Sequence, residues 1–314
     1  MNMESNIVSF LDIPYAGQSE AQKLDILLPD GGKKPYPVIL LIHGGGFEGG
    51  DKNEYLYNDV PQALAKGYAV VSINYRLSSE AKFPAQIFDA KAAVRYIRAN
   101  ATKYDFDPAR IVALGFSAGG YLAALLGTSG DVPELEDLSM ENAGQSSRIN
   151  AAVVQAAPID FLEMDRQHRL LKHNLLSFND VEDGPESKLI GGLISKFPEK
   201  CRAANPMTYI KDDNPPFYIQ YSKNDAAIPY LQGIMLGEYL KAVIGESKVV
   251  LDISETGGHG PEPFGPPGTG PGPGQRVRPM APPPGSPPPG PGLPLDKVLV
   301  FLDKVLKVNN LLGC

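Results

Sequence analysis

The run RIVALGFSAGGYLAALLG, residues 110–127, decides the fold. RIVALGF (110–116) reads as an apolar strand and GGYLAALLG (119–127) as a helix. Between them lies a G-x-S-x-G pattern, Gly115 to Gly119, centred on Ser117. Strand before and helix after turn a short string into a nucleophile elbow. A tight turn there strains Ser117 and pushes its hydroxyl above the sheet. Gly115 and Gly119 lack side chains because the two arms of such a turn nearly touch. The following helix points the positive end of its dipole at the hydroxyl, which favours a developing negative charge.

Similar short apolar runs recur outward from this stretch: QKLDILLP (22–29), PVILLI (37–42), YAVVSINY (68–75), INAAVVQAA (149–157), PFYIQYS (216–222) and KVVLDIS (248–254). IVSFLDI (7–13) adds an edge strand. The middle runs are apolar throughout, as strands covered on both faces are. Helices are expected over 84–104, with Pro84 in its first turn, over 229–245 and over 295–308. The last carries Leu295, Val298, Leu302, Val305 and Leu306 on one side. Alternating strands and helices predict an α/β fold, a mostly parallel sheet of about eight strands flanked by helices.

Two segments break this rhythm. Residues 158–212 are too long for a single crossover helix, and a partial lid is expected there. In 260–294, 24 of 35 residues are Pro or Gly, and half of the chain's 30 prolines fall there. A low-complexity loop is expected, because such a stretch buries too little apolar surface to offset its ordering entropy.

The stretch LLIHGGGFEGG (40–50) ends a strand on His43 and three glycines. Acyl transfer places negative charge on a carbonyl oxygen, and backbone N–H groups aimed at that oxygen stabilise it. Gly45 and Gly46 are the expected donors, with Ala118 after the serine as the third. The serine also needs a base. His43 heads the glycine run and is expected to orient that loop. His168 and His173 fall in the lid segment among charged residues and are expected to be surface or lid residues. His259 follows the last predicted strand, on the sheet edge where open α/β sheets place their sites, and completes the order serine, acid, histidine. It is the expected base. Asp225, just past the end of a strand at the same edge, is the expected orienting acid. Asp160 is the runner-up; Asp252 lies inside a strand and Glu255 is close to His259 in sequence.

Composition narrows the partners. Of the 314 residues, 43% are hydrophobic and 21% charged, a globular balance, and the net charge of −7 disfavours nucleic acid and anionic membrane surfaces. The two cysteines, Cys201 and Cys314, form no disulfide framework or zinc spacing. No basic leader and no spanning apolar run is visible, so the cytoplasm is the default compartment, or secretion if a signal peptide has been removed. Oligomeric state is not legible.

HGGGF (43–47), NYRL (74–77) and YDFDPARIVALGFSAGGYLAALLG (104–127) resemble the α/β-hydrolase superfamily, within it the hormone-sensitive-lipase-like esterases and the acetyl and feruloyl carbohydrate esterases. ESKLIGG (186–192) and the run from Cys201 to Pro229 are similar to the carbohydrate esterases. The resemblance covers about residues 20–260 and resumes at the final helix. It implies a single α/β-hydrolase domain over 1–314. It further implies a serine carboxylesterase working through an acyl-enzyme, with Ser117, Asp225 and His259 as triad and no cofactor. The implied substrates are short acyl esters of carbohydrates or small alcohols. A serine peptidase on the same fold and a catalytically impaired binding protein are the alternatives. The chain departs from the pattern twice. YSKND precedes the loop of Asp225 where the family has a glycine. Pro261 and the Pro/Gly tract follow Gly-His-Gly, where an aromatic residue and a short link are usual. That points to an insertion or a stretch read out of frame.

Overall fold

The structure is a computed structural model that describes residues 8–53, 60–172, 179–259 and 295–306. Its centre is β3 (Tyr36–Ile42), every residue of which is buried. Side chains alternate across a strand. Val38, Leu40 and Ile42 therefore enter one core, while Ile39 and Leu41 enter another on the opposite face. This explains why PVILLI shows no polar alternation.

Around it lie β1 (Val8–Pro14), β2 (Lys23–Leu28), β4 (Ala69–Ile73), β5 (Phe106–Phe116), β6 (Ala151–Gln155), β7 (Phe217–Ser222) and β8 (Val249–Ser254). They form one eight-stranded sheet in the order β1-β2-β4-β3-β5-β6-β7-β8. β2 pairs antiparallel with β1 and with β4, and all other neighbours are parallel. The sheet thus matches the expected α/β class, with IVSFLDI at its edge.

The larger core lies under α2 (Ala85–Ala99), α4 (Ala118–Thr128) and α8 (Leu231–Ile244). The smaller lies under α1 (Val60–Ala65) and α9 (Leu295–Leu306). In α9, Leu295, Val298, Leu299, Phe301, Leu302 and Leu306 are buried, close to the expected stripe. Tyr68 Oη donates to Asp303 Oδ1 at 2.9 Å, and Lys297 lies 3.3 Å from Asp252 of β8, so α9 is latched at both ends.

Three expectations shift. The helix expected over 84–104 divides at Asn100 into α2 and a single turn, α3 (Ala101–Tyr104), and Asp105 closes that turn in the left-handed region. The strand expected over 149–157 is confined to Ala151–Gln155. The short α1 lies between two expected strands without having been foreseen. Within 158–212 the described residues form α5 (Phe161–Leu171), α6 (Pro185–Ile190) and α7 (Pro198–Ala204), with single 3₁₀ turns between and after. His173 and the Pro/Gly tract at 260–294 lie outside the described residues.

Candidate active site

All the chain reversals that matter fall at the carboxyl end of the parallel strands. β5 runs into α4 through Ser117, whose backbone sits at φ 54° and ψ −121°. A non-glycine residue holds such a conformation only where its surroundings over-determine it. The surroundings are backbone. A Cβ on Gly115 would lie 2.2 Å from the carbonyl oxygen of Gly119, and one on Gly119 would lie 2.0 Å from that of Ile42. The Ser117 N–H donates to the Gln155 carbonyl at 2.8 Å, fixing the turn to β6.

The glycine loop after β3 is packed as tightly. Gly45 has φ +97°, and a Cβ there would meet Gly49 O at 2.3 Å; one on Gly50 would meet His43 Nδ1 at 2.3 Å. The Gly45 carbonyl accepts from the N–H groups of Glu48 and Gly49. Among the described residues no hydrogen bond of the fold uses the N–H of Gly45, Gly46 or Ala118. His43 stacks on Tyr75 with ring centroids 4.4 Å apart, and its Nδ1 donates to Gly44 O at 2.8 Å. Burial holds its pKa down at about 4, so the ring is neutral. Tyr75 Oη donates to His43 O at 3.0 Å, and Asn74 Oδ1 accepts from Lys52 N at 2.6 Å. The first half of NYRL is therefore a buttress for the loop, a role that the spacing did not announce.

After β7, Asp225 is completely buried. Its Oδ1 accepts from the N–H groups of Ala227 and Ile228, both at 2.8 Å, which leaves Oδ2 to face outward from its own turn. After β8, His259 Nδ1 lies 2.8 Å from Asp225 Oδ2 and His259 Nε2 lies 3.0 Å from Ser117 Oγ. With Nδ1–H donating to the carboxylate, Nε2 is free to accept from the serine hydroxyl. The ring also rests on Phe116, centroids 4.9 Å apart. The segment before His259 is tied down by side chains. Ser222 Oγ is 2.9 Å from Gly257 O and 3.2 Å from Thr256 O, and Asn224 Nδ2 donates to Glu255 O at 3.0 Å.

Ser117, His259 and Asp225 thus come together, and the other candidates do not. Asp160 caps α5 by accepting from Leu162 N. Asp252 accepts from Tyr218 Oη on the α9 face of the sheet. Glu255 pairs with Lys223 at the surface. His168 is buried in α5, not at the surface of its segment, because it falls on the helix face that also buries Met164. Glu186 was missed altogether. It lies in the first turn of α6 and is 97% buried, and although ESKLIGG begins with it, the run was read only as part of the family resemblance.

A strained serine between strand and helix, a histidine within reach and a buried carboxylate behind it define an α/β-hydrolase fold with its reactive edge assembled. Residues 24–240 match the BD-FAE family, and the chain belongs to that family. It is similar to the esterase LipC of Mycobacterium tuberculosis, 29% identical over 78% of this chain and 58% of that protein. Among solved structures it is similar to a bifunctional GH43-CE of Bacteroides eggerthii, with TM-score 0.73 and 36% identity over 80% of this chain and 35% of that chain. A truncated carbohydrate esterase from gut microbiota superposes with TM-score 0.70 and 30% identity over 80% of this chain and 89% of that chain. The chain spans about half the length of the curated relatives it matches. Among the described residues no helix is long and apolar enough to cross a membrane.

Proposed function

We propose that this chain is a serine carboxylesterase that cleaves short acyl groups, acetyl or feruloyl, from carbohydrates or small alcohols through an acyl-enzyme. The observation that carries the reading is the relay of Ser117 Oγ, His259 and Asp225, at 3.0 and 2.8 Å, on a serine held at φ 54°. Ser117 Oγ attacks the ester carbonyl as its proton passes to His259 Nε2. Asp225 fixes the tautomer and stabilises the imidazolium. The N–H groups of Gly45, Gly46 and Ala118 receive the oxyanion, each donor contributing about 3–4 kcal/mol at the transition state. His259 then protonates the leaving alcohol, takes a proton from water, and the resulting attack frees the acid and restores Ser117.

One solved neighbour carries carbohydrate esterase in its name, which favours a sugar as the alcohol. We read the chain as one domain in which 158–212 forms a partial lid. The contact of Pro185 with Gly46 supports that reading, since a Cβ on Gly46 would come within 3.3 Å of Pro185. The test is hydrolysis of p-nitrophenyl acetate and acetylated xylan, with fluorophosphonate labelling of the serine. Ser117→Ala abolishes both, and His259→Ala lowers kcat by roughly 10⁶. Full activity in Ser117→Ala would overturn the mechanism.

A further inference from the structure

Tyr121 stands one turn after Ser117 in α4 and takes no part in the relay. Its N–H donates to Ser117 O at 3.0 Å, and its side chain is completely buried. The ring meets two others. Phe47 of the glycine loop lies near-perpendicular to it, centroids 5.4 Å apart at 83°, the edge-to-face arrangement that aromatic pairs prefer. Phe161, the first residue of α5, lies against it at 5.3 Å and 33°. The hydroxyl donates to Ala204 O at the end of α7, at 2.7 Å. Burial pushes the phenol well above its ordinary pKa, so it stays a donor. One side chain of the nucleophile helix thus touches the glycine loop, α5 and α7.

The contact with Phe47 bears on the chemistry. Phe47 sits at φ 63°, a left-handed conformation that a bulky side chain adopts only where its surroundings impose it. Two holds are present. Ser78 N donates to Phe47 O at 2.7 Å, and the buried ring meets Tyr121. Gly45 and Gly46 immediately precede Phe47, so the direction of their N–H groups depends on how Phe47 is seated. The hydroxyl accounts for a tyrosine at this place. A helix leaves its last carbonyls without intrahelical partners. In α7, Thr208 Oγ1 donates to Arg202 O and Tyr209 Oη to Ala203 O, both from the chain that follows, whereas Ala204 O is served from α4. That bond and the contact with Phe161 fix the plane of the Tyr121 ring, and that plane meets Phe47.

We propose that Tyr121 is a positioning residue of the reaction: held by α5 and α7, its ring seats Phe47 and so aims the N–H groups of Gly45 and Gly46 at the oxyanion. The inference rests on the esterase reading above, which assigns those N–H groups. Loss of the hydroxyl should therefore weaken the transition state and spare the bound substrate, because the oxyanion forms only as Ser117 attacks. A residue that merely capped α7 would change stability and leave the kcat of the folded enzyme as it was.

The experiment uses the full chain, with p-nitrophenyl acetate as substrate and trifluoroacetophenone as inhibitor. Ser117 Oγ adds to the carbonyl carbon of that ketone, its proton passes to His259 Nε2, and the ketone oxygen takes the negative charge in the place of the oxyanion. Tyr121→Phe should lower kcat about tenfold, less than the roughly 10²-fold loss of a whole donor, with KM little changed. Inhibition by the ketone should weaken by the same factor. Tyr209→Phe removes the hydroxyl from the adjacent carbonyl of α7 and should keep kcat. Adding Tyr121→Phe to Phe47→Leu should cost little further kcat, because both act through one contact. A wild-type kcat in Tyr121→Phe overturns the proposal, as does a loss carried by KM alone, an equal loss in Tyr209→Phe, or full additivity with Phe47→Leu. The comparison of Tyr121→Phe with Tyr209→Phe decides even if Phe47→Leu fails to fold. A wild type that neither cleaves the ester nor reacts with fluorophosphonate sinks the esterase reading itself, whereas normal catalysis that Tyr121→Phe leaves untouched sinks this proposal alone.

Discussion

The loop 43–50 and the segment 254–259 both reach Ser117, and both contain consecutive glycines, yet Gly45 and Gly50 of the first sit in surroundings opposite to those of Gly257 and Gly258 in the second. In the first, a Cβ on Gly45 or Gly50 would come within 2.3 Å of another atom. In the second, a Cβ on Gly257 would be no nearer than 3.7 Å to Ser222 Oγ, and one on Gly258 would meet nothing within 4 Å. The glycine loop and the elbow are fixed by backbone packed against backbone. The histidine segment is fixed by side-chain hydrogen bonds from Ser222 and Asn224. N–H groups that must meet an oxyanion need a frame that does not reorganise. His259, which in the proposed mechanism gains and loses a proton in each half-reaction, sits on a softer mount.

The sharpest way to break this contrast is Gly119→Ala, whose methyl would collide with the carbonyls of Ile42 and His43. It should cost at least about 3 kcal/mol by urea denaturation, because both obstacles are backbone and cannot rotate aside. A variant within 1 kcal/mol of wild type would show that the elbow yields. Acid should loosen the same frame next. His43 is neutral and buried, with its pKa at about 4 in the fold and near 6.5 when unfolded. The unfolded chain therefore binds the extra proton first. His43's contribution is complete above pH 6.5 and is lost as pH falls toward 4, on the order of 3 kcal/mol. The stability of the wild type between pH 8 and pH 4 should fall more steeply than that of His43→Gln, and equal slopes would remove His43 from the account.

On the softer side, Ser222→Ala removes the hydroxyl that holds Thr256 O and Gly257 O. Stability should drop by about 1–2 kcal/mol, with kcat roughly tenfold lower and KM little changed, because His259 still faces Asp225 but less often in register. An unchanged kcat would mean that the ring needs no tether beyond Asp225 and Phe116. The smallest effect belongs to Gly258→Ala, with stability within about 0.5 kcal/mol. A large loss there would erase the contrast.

Sequence reading reached the backbone-built half most fully. Strands such as PVILLI are covered on both faces and so carry an unbroken apolar signature. Gly115 and Gly45 answer to contacts four residues away, whereas Gly119 packs on the carbonyls of Ile42 and His43 from another strand. The packed half of the site was therefore written only partly in local sequence. Asp225 and His259 were legible as strand-end residues in the expected order, although only their convergence in space separates Asp225 from Asp160, Asp252 and Glu255. Ser222 and Glu186 were not legible. The first acts across two parallel strands more than thirty positions apart, with |i−j| of 35 to Gly257. The second depends on how α6 sits over the glycine loop. The buried face of His168 was missed for the same reason, since a helix in a decorated crossover takes its inner side from what it meets.

The latch of α9 on the far face of the sheet has a consequence for the order of synthesis. Every side chain of the relay, and each N–H assigned to the oxyanion, is translated by residue 259, whereas α9 begins at Leu295. Until it emerges, Ile39, Leu41, Val112, Leu114, Val153 and Tyr218 lack the helix that completes their core. The nascent chain passes through a stage in which its chemistry is spelled out in full on a scaffold with one wall bare, the kind of surface that chaperones hold. The helix α9 is thus a cover for the back of the molecule, made after the residues proposed for the chemistry and on the face away from them.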